Sequence, residues 1–193
     1  MQDSSGLGNH GAAGGDPAFV AGQTGQAVDL DGSDYVTIDG VANDITTTTF
    51  TISAWIKTIQ TNAGYVVASN DSASGHDFIL GVDQGLVLVG ANSSNRYPPV
   101  VNDNQWHFIA YVRDGNVAYV YVDGFLVGTE TPSGNPAGQV RWSIGQEWDS
   151  ANNTSPSDFY TGLVDDVRIY NYALSHAETA WLAGRTESFE KPF

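Results

Sequence analysis

Short stretches of alternating apolar and polar residues, each closed by a turn, run through most of this chain. The clearest is Phe50–Lys57, where every second side chain from Phe50 to Ile56 is apolar and shares one face of an extended strand. Residues 106–113 and Val117–Val122 flank an Asp-Gly-Asn turn, which is typical of a β-hairpin. The pattern predicts an all-β protein built from many short strands.

The segment 162–175 constrains the end of the fold. It places two adjacent carboxylates, Asp165 and Asp166, in an alternating strand that closes the series. Ser175 and Glu178 follow with the three-residue spacing of a helix capping box. The pattern therefore predicts a final strand followed by one short helix.

The remaining segments predict one domain. No linker rich in Pro, Ser or Gly divides the chain, so residues 1–193 are expected to form a single unit. The longest predicted loops are 91–104 and 146–158, the only predicted helix is 175–182, and 185–193 is expected to be a frayed polar tail.

Charge excludes several partners. The formal net charge is −15, and Lys57 and Lys191 are the only lysines, so phosphate backbones and anionic lipid surfaces are disfavoured. No apolar run approaches membrane-spanning length. There are no cysteines, so no disulfide contributes to stability. We expect neither nucleic-acid binding nor membrane insertion.

Six short pieces, taken in order, resemble the laminin-G-like, concanavalin A-like lectin jelly-roll domains. The resemblance implies two antiparallel sheets forming a jelly-roll sandwich with a concave face. It also implies an extracellular or cell-surface location, usually inside a larger multidomain protein. The pieces are residues 3–11, 25–32, 50–56, 105–108, 121–128 and 165–171.

The same resemblance implies a structural calcium ion, Ca²⁺, where the two chain ends meet. Ca²⁺ takes six to eight oxygen ligands from carboxylates and carbonyls. Asp3 and Asp165 are the ligands that the resemblance favours most, and Asn9 and Asp166 complete the predicted metal set. The alternative is that backbone amides cap Asp165 without an ion, because a carboxylate among apolar neighbours needs some partner.

One tryptophan differs from the others in its sequence context. Trp148 lies in a polar loop with no strand pattern to bury it, so it is predicted to be an exposed platform for a sugar ring. The alternative is an indole that folds back to close its own loop. Trp55, Trp106 and Trp142 lie in alternating strands and are predicted to be core, and Trp181 is predicted to dock the helix.

Five further residues are predicted to bind the ligand around Trp148. Arg96 would donate to sugar hydroxyls or a uronate while Tyr97 stacks, although an internal carboxylate could equally hold Arg96. His76, Glu147 and Asn152 would add polar contacts, and a loop histidine has the alternative of no role at all.

Enzymatic chemistry has little support in the sequence. The closely spaced carboxylates that glycoside hydrolysis needs are absent, as are a cysteine nucleophile and a Gly-x-Ser-x-Gly elbow. The sequence therefore predicts a non-catalytic module that binds a polysaccharide or other glycan at a loop-rimmed concave face, with a structural calcium. The alternative is an adhesive or structural module of a larger surface protein that makes protein contacts.

Overall fold

The computed structural model describes residues 1–70, 76–90, 94–132, 134, 136–148 and 156–186, and most of them lie in short strands. The first eight strands are β1 Ala12–Gly14, β2 Ala18–Ala21, β3 Gln26–Asp31, β4 Tyr35–Thr37, β5 Phe50–Lys57, β6 Gly64–Asn70, β7 His76–Asp83 and β8 Leu86–Gly90. The next eight are β9 Ser94–Val100, β10 His107–Asp114, β11 Val117–Val122, β12 Phe125–Glu130, β13 Arg141–Ile144, β14 Glu147–Trp148, β15 Pro156–Ser157 and β16 Thr161–Tyr170. A 3-10 helix covers Asp39–Asn43, and one α-helix, α1, covers His176–Leu182.

Two seven-stranded antiparallel sheets face each other. The first sheet has the order β1-β4-β13-β6-β7-β8-β9, and the second has the order β12-β11-β10-β5-β16-β3-β2. The closing strand β16 lies inside the second sheet between β5 and β3, so the end of the described chain packs beside its beginning. The predicted two-sheet jelly-roll sandwich is confirmed.

The core fills the space between the sheets with the residues that alternation predicts. Phe50 has no exposed surface, and its ring packs 5.5 Å from that of Phe78 and 5.9 Å from that of Tyr111. Trp142 is also fully buried, with its ring 6.3 Å from Phe78. Burying each such side chain contributes about 1.5 to 3 kcal/mol, which makes this aromatic layer a main source of stability.

A second apolar cluster covers the outer face of the second sheet. Phe108 and Tyr121 are buried there beneath Leu174, in the segment that leads into α1. Trp55 packs on Phe108 with ring centroids 5.6 Å apart, so it belongs to this outer cluster and is only half-buried. Trp106 is half-buried as well. Only Trp142 fits the sequence prediction of a tryptophan between the sheets.

Both long loops that the sequence predicted contain strands. Residues 91–104 include β9, which pairs with β8 at the edge of the first sheet. An edge strand tolerates its two prolines because an edge N–H needs no partner. Residues 146–158 include β14 and β15, a short two-stranded ladder.

The helix begins as predicted. The Ser175 hydroxyl accepts a hydrogen bond from the Glu178 backbone N–H (3.3 Å), and the Glu178 carboxylate accepts one from the Ser175 N–H (2.8 Å). The prediction that Trp181 docks the helix is wrong, because 68% of this side chain is exposed. Instead the small Ala180 meets the chain at Gly124, where a Cβ would lie 3.1 Å from the Ala180 Cα.

The segment predicted as a frayed tail begins with an ordered contact. The Arg185 guanidinium lies 3.8 Å from the ring centroid of Phe125, a cation–π geometry. Residues 187–193 lie outside the described residues. No helix in the described part of the chain is long and apolar enough to cross a membrane.

Candidate functional site

The predicted sugar platform is not at the surface. Only 4% of Trp148 is exposed, and its ring packs edge-on against Tyr35 with centroids 5.6 Å apart. The Arg141 guanidinium lies 4.0 Å from the Trp148 ring centroid. Pairing of β14 with β15 turns this segment back on itself and lays the indole on the first sheet. The prediction of an exposed indole is wrong, and the alternative, a tryptophan that folds back, describes the structure.

Of the three polar residues predicted to add contacts beside Trp148, only Glu147 has a described side chain. Glu147 is buried, with 5% of its surface exposed. His76 begins β7, and its side chain is not among the described ones. Asn152 lies outside the described residues.

Arg96 and Tyr97 are both held by carboxylates of the protein itself. Arg96 donates through Nε to Asp83 Oδ2 at 2.6 Å, and its Nη2 contacts the same oxygen. The Tyr97 hydroxyl donates to Glu130 Oε1 at 3.0 Å, and burial together with this carboxylate raises the pKa of Tyr97 to about 12. The Arg96 guanidinium and the Tyr97 hydroxyl are therefore already hydrogen-bonded within the protein. For Arg96 this agrees with the alternative prediction that an internal carboxylate holds it.

Asp3 organises the N-terminal loop. Its carboxylate accepts hydrogen bonds from the Ser5 backbone N–H (2.8 Å), the Ser5 hydroxyl (2.8 Å) and the Asn9 backbone N–H (2.9 Å). These donors lower the pKa of Asp3 to about 2, so the group is ionised at neutral pH. Asn9 in turn donates through Nδ2 to Asp44 Oδ2 at 2.6 Å, which ties the loop to the 3-10 helix.

The paired aspartates of β16 point to different partners because a β-bulge lies between Asp165 and Arg168. Asp165 is buried and accepts from the backbone N–H groups of Thr24 and Asp166, both at 2.7 Å. Asp166 has a left-handed backbone (φ +46°), and its carboxylate takes Arg168 Nε at 2.9 and 3.0 Å. Two backbone amides therefore cap Asp165, as the alternative reading of its burial required.

These residues do not form a carboxylate cage for a metal. In the described ranges, no group of three or more His, Asp or Glu side chains is placed to hold a metal ion. Asp3, Asp165 and Asp166 each accept hydrogen bonds from other groups instead. Bound calcium stays a prediction, and carbonyl oxygens would have to supply much of its coordination.

The same two chain ends enclose a cavity of about 530 Å³. This volume is within the range of small-molecule sites. Three of the four predicted metal residues, Asp3, Asn9 and Asp166, line it, while Asp165 lines a neighbouring cavity of about 480 Å³. The larger cavity is also lined by Ser5, Leu7, Asp44, Arg168, Tyr170, Asn171 and Tyr172, over a floor of Ile38, Val41, Ile45 and Ile144.

The wall formed by the end of β16 combines aromatic and polar groups. The rings of Tyr170 and Tyr172 are 5.5 Å apart at 67°, and half of Tyr172 is exposed. Arg168 lies on the same wall, and hydrogen bonding to Asp166 raises its pKa. Flat apolar faces beside hydrogen-bonding groups suit the C–H faces and hydroxyls of a sugar.

Sequence reasoning missed this aromatic wall. Tyr170 and Tyr172 were visible beside Asp166, but their alternation favoured an ordinary closing strand. Asp44 also lines this cavity, and its carboxylate accepts a hydrogen bond from Asn9, which lies far from it in the sequence. That contact has no local sequence signal.

Comparison with known proteins identifies the superfamily of this fold. A sequence profile of the concanavalin A-like lectin/glucanases superfamily matches residues 30–180. The chain belongs to this superfamily. No curated protein matches the chain.

Solved structures share the fold at low sequence identity. Domain 4 of an extracellular arabinanase from Geobacillus stearothermophilus, in complex with arabinotriose, matches with a TM-score of 0.70 and 20% identity, over 94% of this chain and 92% of that one. A structure of botulinum neurotoxin type C, whose cell entry depends on interaction with two ganglioside molecules, matches with a TM-score of 0.71 and 17% identity. That match covers 94% of this chain but only 48% of the toxin chain. A heptameric pentraxin from Limulus polyphemus matches with a TM-score of 0.61 and 22% identity, over 71% of this chain and 70% of that one.

Proposed function

We propose that this protein is a non-catalytic carbohydrate-binding module whose site is the cavity between the N-terminal loop and β16. The observation that carries the proposal is the cavity of about 530 Å³ whose wall presents the half-exposed Tyr172 beside Arg168 and Asn171. A tyrosine face and a row of hydrogen-bonding groups are the two elements that sugar recognition needs.

The similar folds support a glycan as the ligand class. One similar structure is an arabinanase domain in complex with arabinotriose, and another is a neurotoxin whose cell entry depends on gangliosides. Proteins of these kinds act outside the cell, so we propose an extracellular or cell-surface location within a larger protein.

The state of the carboxylates in the cavity supports binding without catalysis. Glycoside hydrolysis needs one carboxyl group that is protonated and can act as an acid. The low pKa of Asp3, about 2, keeps that group ionised. Asp166 is engaged by Arg168, so it is poorly placed to act as a free nucleophile.

Affinity electrophoresis against a panel of neutral and acidic polysaccharides, with calcium and with chelator, tests the proposal. We expect retardation by at least one polysaccharide. Tyr172→Ala should weaken that interaction about tenfold, because truncating an aromatic anchor costs about 1 to 2 kcal/mol, while Tyr172→Phe should retain most of it. Trp181→Ala is the control, since it removes a more exposed aromatic group that does not line the cavity.

A second candidate function is the adhesive module that makes protein contacts. Ala180 in α1 packs against Gly124. The next residue on each side of this contact is a large, exposed apolar side chain, Trp181 (68% exposed) after Ala180 and Phe125 (57% exposed) after Gly124. Exposed aromatic groups are typical of protein interfaces. If no polysaccharide retards the protein under either condition, the glycan proposal fails and this function becomes the first choice.

A further inference from the structure

We infer that the cavity discriminates by charge: it accepts neutral glycans and rejects glycans that carry uronic acids. The inference rests on the proposed function, because it concerns the ligand class of the same site. It follows from the charges that line the cavity and from the hydrogen bonds that each of them already makes.

The lining side chains carry an excess of negative charge. Asp3, Asp44 and Asp166 contribute carboxylates, and Arg168 contributes a guanidinium. Met1 also lines the cavity, and its N-terminal ammonium donates to the Gly11 carbonyl at 2.9 Å, so one negative charge remains in excess. A carboxylate on a ligand would therefore enter a cavity that already holds like charges, which is unfavourable.

Arg168 does not compensate for this excess because its charge is already paired. Its Nε lies 2.9 and 3.0 Å from the two oxygens of Asp166. A uronate that sought Arg168 would have to displace Asp166 and leave that carboxylate without its cation.

Within the described part of the chain, the other two carboxylates accept hydrogen bonds only from neutral donors. Asp3 is held by Ser5 and by the Asn9 backbone, and Asp44 by the Asn9 side-chain amide. Neutral donors satisfy these oxygens without cancelling their charge. The pair Asp3 and Asp44 therefore keeps the cavity anionic, while sugar hydroxyls can still approach as hydrogen-bond donors.

A matched pair of ligands isolates the effect of charge. The probe is the neutral polysaccharide that retards the protein most, compared with the same polymer after its primary hydroxyls have been oxidised to carboxylates. With chelator present, so that no calcium ion offsets the carboxylates, we expect the oxidised polymer to bind at least about tenfold more weakly at low ionic strength. The difference should shrink in molar salt, where the Debye length falls to about 3 Å.

A charge-neutralising variant assigns the effect to the cavity. Asp44→Asn should reduce the ratio of the affinities for the neutral and the oxidised polymer by about threefold or more, because it removes one lining charge. Asp114→Asn is the matched control, since it removes the same charge from the exposed end of β10, which does not line the cavity. It should leave the difference in affinity between the two polymers unchanged.

The outcomes separate the inference from the proposal beneath it. Three results would overturn charge discrimination and still leave a glycan-binding module. They are equal binding of the two polymers, an Asp44→Asn variant that leaves their difference in affinity unchanged, and a uronate-rich polysaccharide as the best ligand. Binding to no polysaccharide at all would instead remove the proposed function, and the inference would fail with it.

Discussion

Replacing Trp148 with alanine should destabilise the protein without directly removing a ligand contact. The side chain is 4% exposed, lies edge-on to Tyr35 at 5.6 Å and carries Arg141 4.0 Å above its ring. Truncating a buried tryptophan costs about 3 to 5 kcal/mol. The Nε1 group has no hydrogen-bond partner in the described part of the chain, so its removal relieves an unfavourable burial of about 1 kcal/mol. We therefore expect a loss of about 3 kcal/mol.

Urea denaturation followed by fluorescence measures this loss as a lower midpoint. For a domain of this size, about 3 kcal/mol also corresponds to a melting temperature lower by about 6 to 12 °C. Trp181→Ala is the matched control, because that indole is 68% exposed, and its loss should change stability by no more than about 0.5 kcal/mol. An unchanged midpoint in Trp148→Ala together with lost polysaccharide binding would refute the reasoning and restore Trp148 as the sugar platform.

Three further outcomes follow from the described contacts. His107 lies between Asp103 (3.1 Å) and Asp123 (2.9 Å), and hydrogen bonds from its ring to both carboxylates raise its pKa against the opposing effect of burial. Relative to His107→Gln, the wild-type protein should be more stable below about pH 6.5 and should lose this advantage as the pH rises through the raised pKa; urea midpoints that show no such pH dependence would contradict this. Asp165→Ala leaves the N–H groups of Thr24 and Asp166 without their acceptor and should cost about 1 to 3 kcal/mol in the same assay, whereas a neutral effect would mean that solvent replaces the carboxylate. If the predicted calcium binds at the N-terminal loop, the melting temperature should be higher in calcium than in chelator. Equal melting temperatures would contradict the calcium prediction.

Local sequence patterns were sufficient for several elements of this fold. The alternation of Phe50–Lys57 predicted a strand whose inner face is fully buried. Ser175 and Glu178 predicted a capping box that forms with both of its hydrogen bonds. These features depend on residues a few positions apart, so they can be read directly from the chain.

The chain ends were predicted to meet, and Asp3, Asn9 and Asp166 do line one cavity. The sequence could not predict which donors each group would find there. The bulge in β16 turns Asp166 toward Arg168 and leaves Asp165 to backbone amides, and a bulge of this kind changes the alternation on which the prediction depended.

The sequence by itself determined the strands with clear alternation, the hairpin turns, the helix cap and the strong negative charge of this protein. Only the tertiary structure decided that Trp148 is buried, that Arg96 is held by Asp83, and that Tyr172 faces a cavity. The physical reason is that secondary structure follows from the periodicity of neighbouring side chains, whereas exposure depends on which distant surface covers them. Tyr35 covers Trp148 from far earlier in the chain, and no pattern within the loop records that contact.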